Sequence, residues 1–303
     1  MNIRRMATFA TIEKFYAGEY PVSSCATETD FYALWLKRNL TRLAPIDIAL
    51  AGAFLADRLP WAFTAGYQAT LRGAFPTLPD DGWAAFAATE DTKEPDRHPG
   101  TTLVESNDGF LLNGNKAWVA HSRSVDHLII TINDSGGDKR RARGLIINSD
   151  RAGVVLSHRE KPGFLSAMSQ GFANFDNVEI DRSETFEFEA IRQFGRTEAK
   201  FVTLAAGAFI AARLSEASEL QDRVVANMLA VAGLIHEPET SRQVYASVDR
   251  EFQACVDLFE KQLATNAIPD YDADRRMFRM YTARIQRRRE YAKQELAQSR
   301  DSQ

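Results

Sequence analysis

Residues Asp108–Ala120 read DGFLLNGNKAWVA, and this stretch decides how the middle of the chain folds. The apolar run Phe110–Leu112 lies between Asn107–Gly109 and Asn113–Gly114. Asp-Gly and Asn-Gly pairs tolerate the positive φ that tight turns require. We therefore predict a short strand at Phe110–Leu112 with a turn on each side of it.

The strand pattern extends outward from this stretch, from Trp83 to Glu189. Turn signals recur there at the spacing of short antiparallel strands. Between two of these strands, Gly136–Arg141 is predicted to be a charged hairpin tip and not a phosphate-binding loop, because no helix follows it. The segment predicts a central antiparallel β-barrel or a sandwich, with further strands at Val125–Ile132, Gly144–Ile147, Gly153–Ser157 and Phe172–Ile180.

Helical periods occur on both sides of this segment. Between Asp30 and Phe75 the apolar residues recur every three to five positions, and Pro45 and Pro60 divide the run into short helices. After Gly195, steps of three and four predict a helix with one apolar stripe, formed by Val244, Val248, Phe252, Cys255, Phe259 and Leu263.

Two further helices are predicted in the last third of the chain. The Ala-rich segment Phe201–Leu214 predicts a buried helix in which Gly207 allows another helix to approach closely. Asp270–Leu296 predicts one long final helix. Together the elements predict an α+β fold of three parts: an N-terminal helical domain at 1–82, a β-barrel domain at 83–190 and a C-terminal helical bundle at 191–303.

Composition excludes several classes of protein. The 303 residues carry 37 Lys and Arg against 41 Asp and Glu, and this net charge of −4 argues against binding a polyanion by bulk charge. No apolar run approaches the roughly 20 residues of a membrane span, and no signal core follows the N-terminus, so the expected compartment is the cytoplasm. Cys25 and Cys255 are far apart and predict buried apolar residues, and the five histidines form no helical pair at metal-ligand spacing, so no metal site is expected.

Two motifs resemble the middle domain of the acyl-CoA dehydrogenase superfamily. Phe86–Glu90 (FAATE) matches an aromatic-x-x-Thr-Glu strand end, and Asn113–Ala120 matches a hairpin strand that reads Asn-Gly-x-Lys-x-Trp-Ile-Thr. The resemblance covers about Trp83 to Ile180, with helices on both sides as in the family. It implies a flavoprotein oxidoreductase that uses FAD to form an α,β double bond in an acyl thioester.

The resemblance also implies which residues face the flavin. These residues would supply a flat aromatic wall and fixed donors at the pyrimidine end of the ring, and they are Phe86, Ala88, Thr89, Trp118 and Ala120. An alternative is that Thr89 and Trp118 are ordinary strand residues, since both types favour strands. His121 follows the same strand and is predicted to lie in a polar rim turn, with contact to a substrate as the second interpretation.

Three departures from the family pattern stand beside the matches. Ala120 occupies a position where the family has a hydroxyl, so only its main-chain amide could contact the flavin. Asp91–Asp96 replaces a loop of small residues that approaches CoA, which leaves CoA and a carrier protein both open as the thioester carrier. The segments that hold FAD across a subunit boundary in the family have no counterpart in the last third of the chain.

Dehydrogenation of a thioester requires a carboxylate that removes the α proton. Sequence order leaves Glu198, Glu216 and Glu219 as candidates, and Glu216 is chosen because it follows the Ala-rich stretch.

Two functions of different classes follow. The first is the dehydrogenase, with electron-transfer flavoprotein as its electron acceptor and a homo- or hetero-oligomeric assembly. The second is a catalytically degenerate subunit that pairs with an active relative.

The predicted final helix carries seven arginines: Arg275, Arg276, Arg279, Arg284, Arg287, Arg288 and Arg289. Because acidic residues interrupt them, a solvated face or a subunit contact is favoured over a site for phosphates or nucleic acid.

Overall fold

The computed structural model describes residues 3–91, 93–94, 96–132, 143–160, 162–186, 188–216, 218–237, 242–264 and 267–290. The described part of the chain divides into two compact units. The β-unit comprises Cys25–Leu43 and Thr70–Gly195, and the helical unit comprises the described residues of Met1–Ser24, Ala44–Ala69 and Arg196–Gln303. The division into 1–82, 83–190 and 191–303 stays a prediction.

In the described part of the chain, helices come first, strands follow and helices come last, and one helix over 282–290 adds to the eight named next. The helices are α1 (Ile3–Tyr16), α2 (Glu28–Lys37), α3 (Pro45–Leu55), α4 (Leu59–Ala74), α5 (Phe188–Ala211), α6 (Glu219–His236), α7 (Arg242–Gln262) and α8 (Tyr271–Asp274). The strands are β1 (Trp83–Ala87), β2 (Thr102–Glu105), β3 (Phe110–Ala120), β4 (Val125–Ile132), β5 (Arg143–Asn148), β6 (Val154–His158), β7 (Gln170–Ile180) and β8 (Thr185–Phe186). Among these, no helix is long and apolar enough to cross a membrane.

The strands form two four-stranded sheets, so the predicted barrel is wrong. One sheet has the order β1-β4-β5-β8 and the other β2-β3-β7-β6. No hydrogen-bonded ladder joins the sheets in the described part of the chain, and each sheet keeps two edges. The arrangement is also not wholly antiparallel, because β1 pairs with β4 in parallel, and a parallel pair needs a crossover, which here contains β2 and β3.

The core of the β-unit lies between the two sheets. Alternate residues of β7, from Gly171 to Phe175, are buried, and the positive φ of Asn177 shifts the alternation so that Val178 and Ile180 are buried after it. Strand β4 is buried along nearly its whole length, which explains its β-branched sequence. The predicted bounds of this strand are confirmed.

The predicted turn at Asn113–Gly114 is wrong. Strand β3 continues through both residues, and Gly114 has φ +112°, with a register shift against β7 between Leu112 and Gly114. The positive φ is therefore used for a β-bulge inside the strand. A side chain at Gly114 would collide with the Gly100 carbonyl oxygen, which lies 2.3 Å from where a Cβ would stand. The predicted hairpin tip at Gly136–Arg141 lies outside the described residues.

The predicted long helix over Asp270–Leu296 is also wrong within its described part. Helix α8 ends at Asp274, a 3-10 helix follows at Arg275–Arg279, and a helix resumes over 282–290. The physical reason is the tight turn that buries Phe278, whose ring contacts those of Phe209, Phe252, Phe259 and Tyr271.

The other helices agree with the sequence predictions. Pro45 begins α3, and Pro60 is the second residue of α4. Most of the apolar stripe lies on α7, where Phe252, Cys255 and Phe259 are buried, but Val244 is exposed and Leu263 follows the end of the helix. Cys25 is buried as well, so the predicted character of both cysteines is confirmed. Gly207 of α5 faces α6, because a Cβ there would stand 2.8 Å from Met228 Cγ.

Candidate functional site

Thr89 and Trp118 lie on neighbouring stretches of backbone in the β-unit. Strand β1 ends at Ala87, and two residues later the carbonyl oxygen of Thr89 accepts a hydrogen bond of 2.7 Å from the amide of Ala117. Trp118 follows Ala117 in β3. Thr89 is exposed and Trp118 is half-buried, so both can be reached from solvent. The chain therefore brings together the two motifs that are almost thirty residues apart in sequence.

Trp118 differs from the other tryptophans of the chain. Trp35, Trp61 and Trp83 are fully buried, whereas part of the Trp118 indole is accessible. Its Nε1–H donates to Gln170 Oε1 at 3.3 Å, and Gln170 begins the neighbouring strand β7. The indole thus has one edge held by β7 and some of its surface open.

The other three predicted flavin contacts lie in different surroundings. The ring centroid of Phe86 lies 4.3 Å from that of Phe194, within the β-unit, so this ring already has an aromatic neighbour. Ala88 is half-buried, and Ala120 is fully buried. Among the five predicted residues, Thr89 and Trp118 are the pair whose placement suits a ligand, and the roles of all five stay predictions.

An ion pair between the buried Lys116 and the half-buried Glu90 fixes the backbone behind Thr89. Lys116 is fully buried, and its Nζ donates to Glu90 Oε1 at 2.7 Å. Thr101 donates to the same oxygen from its amide at 3.1 Å and from its hydroxyl at 2.8 Å. Burial alone would raise the pKa of Glu90, but the bonds from Lys116 and Thr101 outweigh burial and hold that pKa below its usual range. Because an unpaired charge here would be costly, the pair locks the two motifs in place.

Sequence reasoning did not identify this ion pair, although both residues lie in the recognised motifs. The Glu of the Thr-Glu strand end and the Lys of Asn-Gly-x-Lys are 26 residues apart, and nothing in their local sequence indicates that they meet. Their occurrence in two motifs that the fold brings together is the signal that could have found them.

A cavity of about 290 Å³ opens beside Ala117, one residue before Trp118. The Arg159 guanidinium lies 4.6 Å from the ring centroid of Phe172, and its Nη2 donates to the Ala117 carbonyl oxygen at 3.0 Å. The lining combines one aromatic ring with amide, hydroxyl, imidazole, carboxylate and ammonium groups, from Asp91, His98, Asn115, Lys116, Ala117, Ser157, Phe172, Ala173 and Asn174. Such a lining can hold a polar group and a flat one side by side.

A second polar cluster lies at the end of β3. Glu28, at the start of α2, is buried; its Oε2 accepts a hydrogen bond of 2.5 Å from the Ser169 amide, and its Oε1 accepts one of 2.8 Å from the Ser169 hydroxyl. His121 Nδ1 lies 3.5 Å from Glu28 Oε2. Burial alone would raise the pKa of Glu28, but the interactions with His121 and Ser169 lower it to about 2.

The structure places His121 in the predicted turn but not on a polar rim. Its side chain is fully buried, its φ is +54°, and its ring centroid lies 4.4 Å from that of Trp83. The rim interpretation is therefore wrong, because Glu28 draws the imidazole into the interior. Glu28 itself was not singled out in the sequence, since its partners lie about 90 and 140 residues away.

The three acidic candidates for a base lie in the helical unit and differ in environment. Glu216 is exposed in the turn after α5, and Glu219 is the first residue of α6. Glu198 lies on α5 and is half-buried. Burial raises the pKa of the Glu198 carboxyl, against the opposing effects of its bond with Tyr281 and the charge of Arg284.

The chain resembles solved structures of low sequence identity along nearly its full length. PigA with FAD and proline is 12% identical, with a TM-score of 0.64 over 98% of this chain and 99% of that chain. The prolyl acyl carrier protein oxidase AnaB is 14% identical, with a TM-score of 0.58 over 94% and 99% of the two chains. An acyl-CoA dehydrogenase from Geobacillus kaustophilus is 12% identical, with a TM-score of 0.58 over 94% and 98%. A scan against models of known families and a search of curated proteins both find no match.

Proposed function

Because the chain has the fold of the acyl-CoA dehydrogenase superfamily, we propose that it is an FAD-dependent dehydrogenase of an acyl thioester. The observation that carries this proposal is the hydrogen bond from Ala117 to Thr89, which places the Thr-Glu strand end beside the half-exposed Trp118. PigA, whose structure contains FAD, has the same fold.

The residues present fit one end and one face of a flavin. Thr89 offers a hydroxyl in an exposed position, and Trp118 offers an accessible aromatic surface whose edge is held by Gln170. Fixed donors and a flat wall are what an isoalloxazine ring requires. FAD, when bound, would supply the acceptor for the hydride that leaves the β carbon of the acyl group.

The α proton of the acyl group needs a base from the chain, and we assign this role to Glu198. Its half-buried position, and its pKa, which burial raises above the ordinary glutamate value, suit a group that must take up a proton. The bond from Tyr281 would orient the carboxylate, and Arg284 would stabilise its charged form. The role of Glu216, the candidate chosen from the sequence, stays a prediction. The experiment that tests Glu198 also tests Glu216.

The thioester carrier that we propose is the phosphopantetheine arm of a carrier protein. Asp91–Asp96 replaces the small residues that approach CoA in the family. Two structures with the same fold, PigA with FAD and proline and the prolyl acyl carrier protein oxidase AnaB, are associated with proline, and AnaB acts on a carrier-protein substrate according to its name. Electron-transfer flavoprotein stays the predicted electron acceptor.

The test is a spectroscopic titration of the purified protein. Protein that retains FAD after gel filtration, and whose visible flavin band bleaches without oxygen on addition of an acyl carrier protein thioester, supports the proposal. Bleaching by acyl-CoA alone would retain the dehydrogenase and reject the carrier-protein substrate.

We expect Thr89→Val to weaken FAD binding about three- to tenfold, which is the effect of losing one hydrogen bond. Thr102→Val, at an exposed position of β2, is the matched control and leaves FAD binding unchanged.

The degenerate subunit is the second candidate, and the fully buried Ala120 favours it, because this position offers no hydroxyl to a flavin. This candidate predicts that the protein binds no FAD alone but acquires a flavin spectrum when it is mixed with a dehydrogenase of the same fold. That result would reject the enzyme and support the paired subunit.

A further inference from the structure

The side-chain amide of Gln170 forms hydrogen bonds through both its oxygen and its nitrogen inside the β-unit. Its Oε1 accepts the hydrogen bond of 3.3 Å from Trp118 Nε1, and its Nε2 donates to the carbonyl oxygen of Phe164 at 2.6 Å. Because the two ends have opposite requirements, the amide can adopt one orientation only, with its oxygen toward the indole. The edge of the indole is therefore tied to a group that cannot rotate freely.

The backbone that carries Gln170 is anchored one residue earlier. Glu28 accepts hydrogen bonds from both the amide and the hydroxyl of Ser169, and the Ser169 oxygen accepts one of 3.0 Å from the Arg123 amide. Leu165, with φ +52°, and Met168 close the turn before this point, and both side chains are buried. The segment from Phe164 to Gln170 is thus a fixed turn against which Trp118 is held.

We infer that Gln170 is a positioning residue that sets the plane of the Trp118 indole for a bound flavin. This inference rests on the proposed function, because it assigns Gln170 a task only if Trp118 covers the ring of FAD. Gln170 acts through Trp118 and is not a catalytic residue. An indole free to rotate would present its edge to the ligand part of the time, and FAD would bind more weakly.

The experiment compares Gln170→Met, which removes the amide at similar volume, with Gln170→Glu, which keeps the acceptor toward the indole. Quenching of tryptophan fluorescence by acrylamide reports on Trp118, because the other three tryptophans are fully buried. Trp118→Phe in each background gives the emission to subtract. The second readout is titration with FAD, followed by visible circular dichroism of the flavin band.

We expect Gln170→Met to raise the acrylamide quenching of Trp118 and to weaken FAD binding about three- to tenfold, with a changed flavin dichroism. Gln170→Glu keeps an acceptor for the indole but loses the donor to the Phe164 carbonyl oxygen, so it should recover only part of both changes. The exposed Gln262 at the end of α7 supplies the matched control, and Gln262→Met leaves both readouts at wild-type values.

The outcomes separate the two claims. Wild-type protein that binds no FAD overturns the proposed function, and with it the role of Gln170. FAD binding to wild type that Gln170→Met leaves unaltered in affinity and dichroism overturns the inference alone. If Gln170→Met fails to fold, Gln170→Glu still decides, because it loses the bond to Phe164 that fixes the amide; wild-type Trp118 quenching together with wild-type FAD affinity in this folded variant contradicts the inference.

Discussion

At the residue scale, the carboxylate of Glu28 should make the stability of the protein depend on acid. The pKa of this group falls from 4.5 to about 2 on folding, so its contribution is fully present above the unfolded pKa and is lost as pH falls through the folded one. We expect Glu28→Gln to lower the free energy of unfolding by about 2–3 kcal/mol at neutral pH. The difference from wild type should shrink as the pH is lowered from 4.5 toward 2.

Urea unfolding across this pH range measures the effect. Glu179→Gln is the matched control, because Glu179 is an exposed residue of β7 in the same unit. A deficit in Glu28→Gln that stays constant down to the lowest pH would show that the carboxylate contributes by shape and not by charge.

The two proposed bases can be separated by another pair of substitutions. Glu198→Gln removes a half-buried carboxylate, and we expect dehydrogenation to fall by at least about a hundredfold, the usual contribution of a general base. FAD binding should not change. Because burial raises the Glu198 pKa, wild-type activity should decline on the acid side at a pH above the ordinary glutamate value.

Stopped-flow reduction of the bound flavin measures both variants directly. Glu216→Gln alters an exposed carboxylate in the turn after α5, and we expect reduction to proceed at close to the wild-type rate. The opposite result, a slow Glu216→Gln and a normal Glu198→Gln, would return the role to the residue chosen from sequence order.

At the element scale, the contact between α4 and α5 depends on Gly66. A methyl group on Gly66 would stand 2.7 Å from the Val202 Cα and 2.9 Å from the Phe201 carbonyl oxygen, and backbone atoms cannot move aside cheaply. We expect Gly66→Ala to destabilise the protein by about 1–3 kcal/mol, as overpacking does. Gly233→Ala on α6 is the matched control, since a Cβ there meets nothing within 4 Å and should stabilise the helix by about 0.5–1 kcal/mol. Chemical denaturation of both variants measures the difference. A Gly66→Ala variant as stable as wild type would contradict the close contact between α4 and α5.

Elements whose sequence pattern repeats were predictable, and elements set by a distant partner were not. The continuous β-branched run of β4 and most of the apolar stripe of α7 each indicated their element directly, because neighbouring positions agree with one another. Asn113–Gly114 suggests a turn by local preference, yet the strand continues because β3 is paired with β7 on both sides of the bulge. The final helix breaks where Phe278 enters an aromatic cluster built from three other helices.

At the scale of the whole molecule, the order of helices, strands and helices was readable from the change of period, and the two recognised motifs gave the fold. The candidate flavin contacts Thr89 and Trp118 were also named from the sequence, and the fold brings their backbones together. The sequence did not identify Gln170, whose side chain holds Trp118, or Glu28, which anchors the neighbouring backbone at Ser169.

The sequence by itself determined the β-branched run of β4 and most of the apolar stripe of α7, because each depends on neighbours along the chain. Only the tertiary structure decided that the strands form two sheets instead of a barrel, that Lys116 meets Glu90, and that Glu28 draws His121 and Ser169 together. The physical reason is that hydrogen bonds and ion pairs between residues far apart in sequence leave no local pattern. Their partners are chosen by the packing of the folded chain, which removes water from these groups and so requires each charge to be matched.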